Sequence, residues 1–316
     1  MSGMSTDAPT PDSRPRRPAG AGARRRLFNA WIARNEWMFG LALLSPALVW
    51  TTLALALPMF VLVGYSFWQQ DGFTIIREFS LKNYATFLER PIYTGLMIRS
   101  LRISLFTTVA TIVIAYPVAC FIAFRVHRMR GLLLLLFTLP FWTSYLLKIF
   151  SWKVILGHNG VINSALISLG MIHQPIDALL YNETAVILTL THAWLTVALL
   201  PLYLSLAKID RSLIEAAADL GEPPYMVFLR VILPLSAPGI VVAALLIFIP
   251  TVGDYITPIM VGGPGGSMIG SLTAALVQQS NDMPMAATVA TMSILTISLI
   301  LLGVTGVFRL VRRIAR

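Results

Sequence analysis

The sequence predicts an all-α membrane protein with six transmembrane helices and a polar helix–turn–helix between the fourth and fifth. Three observations carry this. Of 316 residues, 57% are hydrophobic and 12% charged, whereas a soluble domain carries about 25% charged residues. Mean hydropathy is +0.77. Apolar segments near the roughly 20 residues that cross a bilayer run over about 39–67, 103–124, 131–152, 185–207, 234–260 and 286–310.

Residues 1–35 are rich in Pro, Ala, Gly, Ser and Arg and poor in large apolar side chains. Such a segment buries too little surface to fold, so a disordered cytoplasmic tail is expected. The next stretch, 36–98, reads as a first transmembrane helix and a periplasmic loop. Pro46 and Pro58 predict a kink in that helix, tolerated where neighbours re-satisfy the freed carbonyls. The apolar stretch is too long for a signal-peptide core and lacks a clear cleavage site, so it reads as a retained anchor. The piece Ser80–Leu88 suits a short surface helix beyond it.

The remainder, 99–316, forms the expected core. Arg99 and Arg102 stand at the outer end of span two, where long basic side chains reach the interface while their stems stay in lipid. Ala115, Pro117 and Ala119 thin that helix for close packing, and Cys120 reads as a small packing residue. In span three, Pro140 predicts a break followed by Trp142, Thr143, Ser144 and Tyr145. Irregular backbone at membrane depth survives where protein buries it or a cavity wets it, so these residues are candidates for lining a substrate pathway; a kinked helix with packed aromatics is the alternative. Lys148 and Asp254 are the charges inside spans three and five. Asp254 is the acid expected to face the bundle interior, a water-filled cavity or a cation, since a charge at mid-span costs about 3 kcal/mol on insertion scales. Pro250, Gly253 and Pro258 predict a broken helix around Asp254 and Tyr255. The glycine-rich run 262–266 lacks the ending of a phosphate loop and reads as a flexible outer turn.

The loop 207–234 is patterned like structure. Helix formers from Ser212 to Leu220 end at Gly221, which suits a left-handed helix terminus. Pro223 and Pro224 suit the first turn of a second short helix. Basic residues gather here (Lys208, Arg211, Arg230), in the tail, between spans two and three (Arg125, Arg128, Arg130) and at the end of the chain (Arg309, Arg312, Arg313, Arg316). Basic residues mark the cytoplasmic face, so this loop and both termini are expected in the cytoplasm. The formal charge of +10 is then topology rather than nucleic-acid affinity. His127, His158, His173 and His192 are scattered at loops or span ends without metal spacing, and no nucleophile–base motif argues for an enzyme.

Glu215, Ala216, Ala217 and Gly221, followed by Val231, Leu233 and Pro234, resemble the cytoplasmic signature of ABC importer permeases, with Val231 in place of the usual isoleucine. The strings L-P-F-W-T-S, G-H-N-G-V-I-N, E-A-A-A-D-L-G and G-D-Y-I-T-P, over about Pro46 to Phe308, resemble the permeases of spermidine/putrescine ABC importers. Relatives with these strings also carry opines and phosphonates. The resemblance implies a type I importer architecture in the bacterial inner membrane. It implies a periplasmic substrate-binding protein, a second related permease and two ATPase subunits as partners beside membrane lipids, with no cofactor in the permease itself. The chain holds no Walker sequence, so ATP hydrolysis is expected in separate subunits. Glu215, Ala216, Ala217, Asp219 and Gly221 become candidates for coupling to those ATPases. Trp142, Thr143, Ser144, Tyr145, Asp254 and Tyr255 become candidates for the substrate path. Asp254 is read either as the partner of a cationic cargo or as a packing or gating residue within a polar network. An ion-coupled secondary transporter is the alternative class; it calls for paired intramembrane charges in corresponding halves, which the sequence lacks.

Overall fold

The computed structural model describes residues 36–314 apart from residue 73. The expected tail of residues 1–35, with residues 315–316, lies outside the described residues. Residues up to Val61 and those from Leu62 onward form separate compact units. The first unit contains most of helix α1 (Glu36–Ser66), which is assigned as one helix through Pro46 and Pro58.

The second unit begins with a hairpin that the sequence reading missed. Strand β1 (Gln69–Asp71) pairs antiparallel with β2 (Thr74–Ile76). Gly72 turns between them at φ +59°, a conformation glycine adopts without steric cost. Three-residue strands are too short to show an alternating pattern. Helix α2 (Lys82–Glu89) is the expected surface helix, and Asn83 Nδ2 donates to the Trp68 carbonyl at 2.9 Å.

Helix α3 (Pro91–Cys120), prolonged by a π turn (Phe121–Arg125), forms an apolar rod of 35 residues. It starts a dozen positions before the expected Ile103. Three polar residues of that extension have partners far away in the sequence. Ser100 Oγ accepts from the Ile269 N–H at 2.7 Å, Arg99 Nη1 donates to the Pro264 carbonyl at 3.1 Å, and Arg102 pairs with Glu183 through two N–H donors. Arg99 and Arg102, expected to reach the interface, also fasten the end of the bundle.

Span three is interrupted. Helix α4 (Arg130–Thr138) passes through a 3₁₀ turn (Leu139–Trp142), and α5 (Tyr145–Leu156) resumes at an angle of 85°. Proline at the start of the tight turn and extended backbone at Thr143 (ψ 143°) account for a break sharper than a kink. A further short helix, α6 (Val161–Ser168), follows. Helix α7 (Glu183–Leu206) is capped by the Asn182 side chain, which accepts from the Ala185 N–H at 2.9 Å.

After α8 (Arg211–Asp219), α9 (Pro224–Val227) runs through a π turn (Phe228–Ile232) into α10 (Leu233–Val252). The second helix of the expected helix–turn–helix is thus the start of span five, which begins ten residues before Pro234. Pro234 is tolerated because its missing N–H falls at the π turn, where the bonding ladder has already shifted. Span five breaks at 253–255, resumes at Ile256 and continues into a π turn (Pro258–Gly262). Helices α11 (Ile269–Gln278) and α12 (Met283–Ile314) complete the described chain. Among the described residues five helices are long and apolar enough to cross a membrane, six with the bent pair as one span.

The core lies where α3, α7 and α10 cross. Ala115, Ala119, Ala198, Leu202, Ala243 and Ile247 are buried together, with Cys120 packed against them. Lipid is as apolar as these side chains, so helices in a membrane gain chiefly from close packing, which small residues permit. At Gly239 a Cβ atom would lie 2.3 Å from Ser205 Cβ and 2.8 Å from the Pro201 carbonyl oxygen. The Tyr116 and Ser236 hydroxyls, 2.6 Å apart, join α3 to α10.

Candidate functional site

The signature helix α8 is built by its ends. The Asp210 carboxylate accepts from the Ser212 N–H at 3.0 Å. This bond, and a second from the Ser212 side chain, hold the Asp210 carboxyl below its ordinary value. At the other end Gly221 takes φ +82°; the Gly221 N–H reaches the Ala218 carbonyl at 2.9 Å and the Glu222 N–H the Ala217 carbonyl at 3.2 Å. These bonds close the orphan carbonyls of the last turn, as the sequence leads one to expect.

Both ends are tied to the spans. Arg211 Nη2 donates to the Phe124 carbonyl at 3.0 Å, where α3 ends. Glu222 pairs with Arg230 at 2.5 Å, at the start of span five. Glu215, Ala216 and Asp219 are exposed and Ala217 is half-buried. Leu213, Tyr225 and Leu220 add exposed apolar surface at 49%, 63% and 86%. Glu215 also borders a groove of about 460 Å³ with Arg125, Glu222, Val227 and Ile232. The anchors Asp210, Arg211, Glu222 and Arg230 were not singled out from sequence as a set. Asp210 before a helix former was a legible cap signal; the other contacts join residues far apart in the fold's turns.

The candidate pathway residues divide into two groups. Tyr145 opens α5 immediately after the break in span three, and its hydroxyl donates to Asp254 Oδ2 at 2.8 Å, at the break in span five. The same hydroxyl lies 2.9 Å from the buried Thr257 hydroxyl. Asp254 Oδ1 accepts from the Ile256 N–H at 3.1 Å, at the start of the resumed helix. Both carboxylate oxygens thus have donors within the protein. The Tyr145 ring stands 6.5 Å from that of Trp194. Gly270 presses against this break, since a Cβ there would lie 2.6 Å from the carbonyl oxygens of both Gly253 and Asp254. Trp142, Thr143 and Ser144 are exposed at the bend, Trp142 at 85%. Thr143 bonds back to the Pro140 carbonyl at 2.7 Å. Tyr255 borders a different groove, with Gly253, Ile269 and Thr273. Thr257, unremarked in the sequence reading, belongs to the network.

The glycine-rich run is packed rather than flexible. Gly263 adopts φ +54°, and a Cβ there would lie 2.8 Å from Tyr181 Cβ; at Gly266 it would lie 2.6 Å from Gly262 Cα. The Tyr181 N–H bonds to the Val261 carbonyl at 2.9 Å, and Arg99 holds Pro264. His158 pairs with Asp177 at 2.6 Å. His192, expected at a span end, lies within α7 with its ring edge-on to Trp152 at 5.5 Å. Among the described residues no group of His, Cys, Asp and Glu is placed to hold a metal ion.

The family model of binding-protein-dependent transport system inner membrane components matches residues 92–316. The chain belongs to this family. It is therefore a multi-pass inner-membrane permease of a binding-protein-dependent transport system. The permease is 36% identical over 247 residues to the spermidine/putrescine transport system permease protein PotB of Escherichia coli (strain K12), covering 78% of this chain and 89% of that one. Its fold matches a chain of a bacterial ABC transporter involved in import of the acidic polysaccharide alginate, with TM-score 0.67, 18% identity, and coverage of 90% and 98% of the two chains. It also matches a chain of the bacterial alginate transporter in complex with an alginate pentasaccharide-bound periplasmic protein, with TM-score 0.66, 17% identity, and coverage of 86% and 93%.

Proposed function

We propose that this permease carries polyamines, putrescine and spermidine or similar small cations, into the cytoplasm as part of an ATP-driven importer. The 36% identity to a spermidine/putrescine permease across nine-tenths of that relative supports the cargo. In this reading the permease pairs with a second, related permease. A periplasmic binding protein delivers cargo at the end carrying the 262–266 turn, and two separate ATPase subunits engage α8 from the cytoplasm.

The physical basis for coupling is the anchoring of α8. A helix bonded to the end of α3 through Arg211 and to the start of span five through Glu222 transmits a push on its exposed face to both spans. Glu215 and Asp219 supply polar contacts on that face, Ala216 and Ala217 allow close approach, and Gly221 fixes the angle of the turn. The proposed path runs beside the breaks in spans three and five, bordered by residues 142–145 and 254–255. There the Tyr145–Asp254–Thr257 network holds the two breaks together, and the Asp254 carboxylate gives the path a negative charge suited to ammonium groups.

Uptake of radiolabelled putrescine and spermidine by cells with and without the gene, in a strain lacking other polyamine importers, tests the cargo. The reading expects uptake to fall to background in the deletion. Uptake equal to that of the parent strain would remove polyamines as the cargo.

A further inference from the structure

We propose that Lys148 and His192 form a site for a small oxyanion, a phosphate, phosphonate or carboxylate group, in an open cavity against α3 and α7. Both line a cavity of about 230 Å³ whose remaining wall is almost wholly apolar, including Ile114, Phe137, Leu195 and Leu199. Lys148 lies one turn beyond Tyr145 on α5, the outer arm of the bent span. Its neighbours across the cavity, His192 to Leu199, occupy the middle of α7 (Glu183–Leu206). Lys148 therefore borders the middle of α7. Among the described residues neither the Lys148 nor the His192 side chain has a hydrogen bond or an ion pair. The nearby acid, Asp254, is already occupied by Tyr145 and by the Ile256 N–H.

A lysine at membrane depth is costly and is found paired or at a functional position. Here the described residues pair no counter-charge with Lys148, while the cavity supplies room: a water molecule occupies about 30 Å³. Lys148 is half-buried and His192 exposed; two basic side chains lining one mostly apolar cavity suit an oxyanion, because charge-assisted hydrogen bonds are roughly twice as strong as neutral ones. The Trp152 and His192 rings meet in a T-shaped contact, centroids 5.5 Å apart. Polyamines carry no anionic group, so an anion bound here is not the proposed cargo, although the cavity also touches Pro140 at the break in span three. The anion has two possible sources, a free solute or the headgroup of an anionic phospholipid.

The test uses the purified transporter complex in lipid nanodiscs of phosphatidylcholine. Inorganic phosphate is titrated at constant ionic strength against chloride, with thermal unfolding as the readout. In parallel, native mass spectrometry records retention of phosphatidylglycerol from mixed-lipid discs. The site predicts that at least one probe binds the wild type, that Lys148→Arg keeps binding, and that Lys148→Gln weakens it by about tenfold, the loss of one charge-assisted bond. His192→Gln weakens it in the same sense and serves where Lys148→Gln does not assemble. A phosphate response identifies a solute site; phosphatidylglycerol retention without one identifies a lipid site. Binding of neither probe to the wild type, or equal binding by wild type and every variant, overturns the proposal and leaves an acid of a neighbouring subunit as the counter-charge. None of these outcomes bears on polyamine uptake.

Discussion

Tyr145 and Asp254 show what one hydrogen bond does at a broken span. The interruptions at 139–144 and 253–255 leave backbone without a regular ladder, and a single hydroxyl bridges the two. Tyr145→Phe removes a donor to a charged acceptor, a change of about 1.5–3 kcal/mol. Transport by Tyr145→Phe is expected to fall several-fold, with Asp254→Asn at least as impaired; uptake assays on membranes with equal permease content check this. Normal transport by both would remove the network from the mechanism. Asp210 carries a pH prediction. Its carboxyl is held below its ordinary value of 3.8 by the Ser212 N–H, so its contribution is full above that value and is lost as pH falls through the lowered one. Asp210→Asn, which keeps a capping oxygen without titrating, should lose less α8 order on acidification than wild type, measured by hydrogen exchange of 211–219.

At the scale of elements, the α7–α10 crossing is the least adjustable contact. The Cβ of Gly239→Ala would meet Ser205 Cβ and a backbone carbonyl rather than a flexible chain end. Such overpacking costs about 1–3 kcal/mol, so the variant should unfold at lower temperature, and Ser205→Gly should recover part of the loss. No recovery would place the strain elsewhere. The signature helix was legible in the sequence because local chemistry dictates it: helix formers, a glycine at a left-handed terminus, then two prolines. The breaks at Pro140 and around Gly253 were legible for the same reason. The lengths of spans two and five were not, because Arg99, Ser100 and Arg102 look unfit for a buried helix until Pro264, Ile269 and Glu183 are known to meet them. Nor was the division of the pathway residues: Tyr145 and Asp254 are 109 positions apart, and nothing local separates Tyr145 from Trp142, which the bend leaves exposed.

For the whole molecule, the alternation of basic loops predicts an orientation with α8 on the cytoplasmic side, which labelling tests. The chain has one cysteine, so a Cys120→Ser background permits single-cysteine mapping. Leu220→Cys, at a site 86% exposed, should react with a membrane-impermeant maleimide in inside-out vesicles and not in spheroplasts. Phe79→Cys, 75% exposed near the other end, should do the reverse, and the opposite pattern would invert the topology. The central claim, that α8 couples an external ATPase to polyamine movement, is tested most directly by ATP-dependent accumulation of radiolabelled spermidine. The assay uses proteoliposomes holding the permeases, ATPases and binding protein, with wild type beside Glu215→Arg/Gly221→Pro. The account predicts accumulation by the wild type and none by a double variant that still assembles. No accumulation by an assembled wild type, or equal accumulation by the variant, would contradict it.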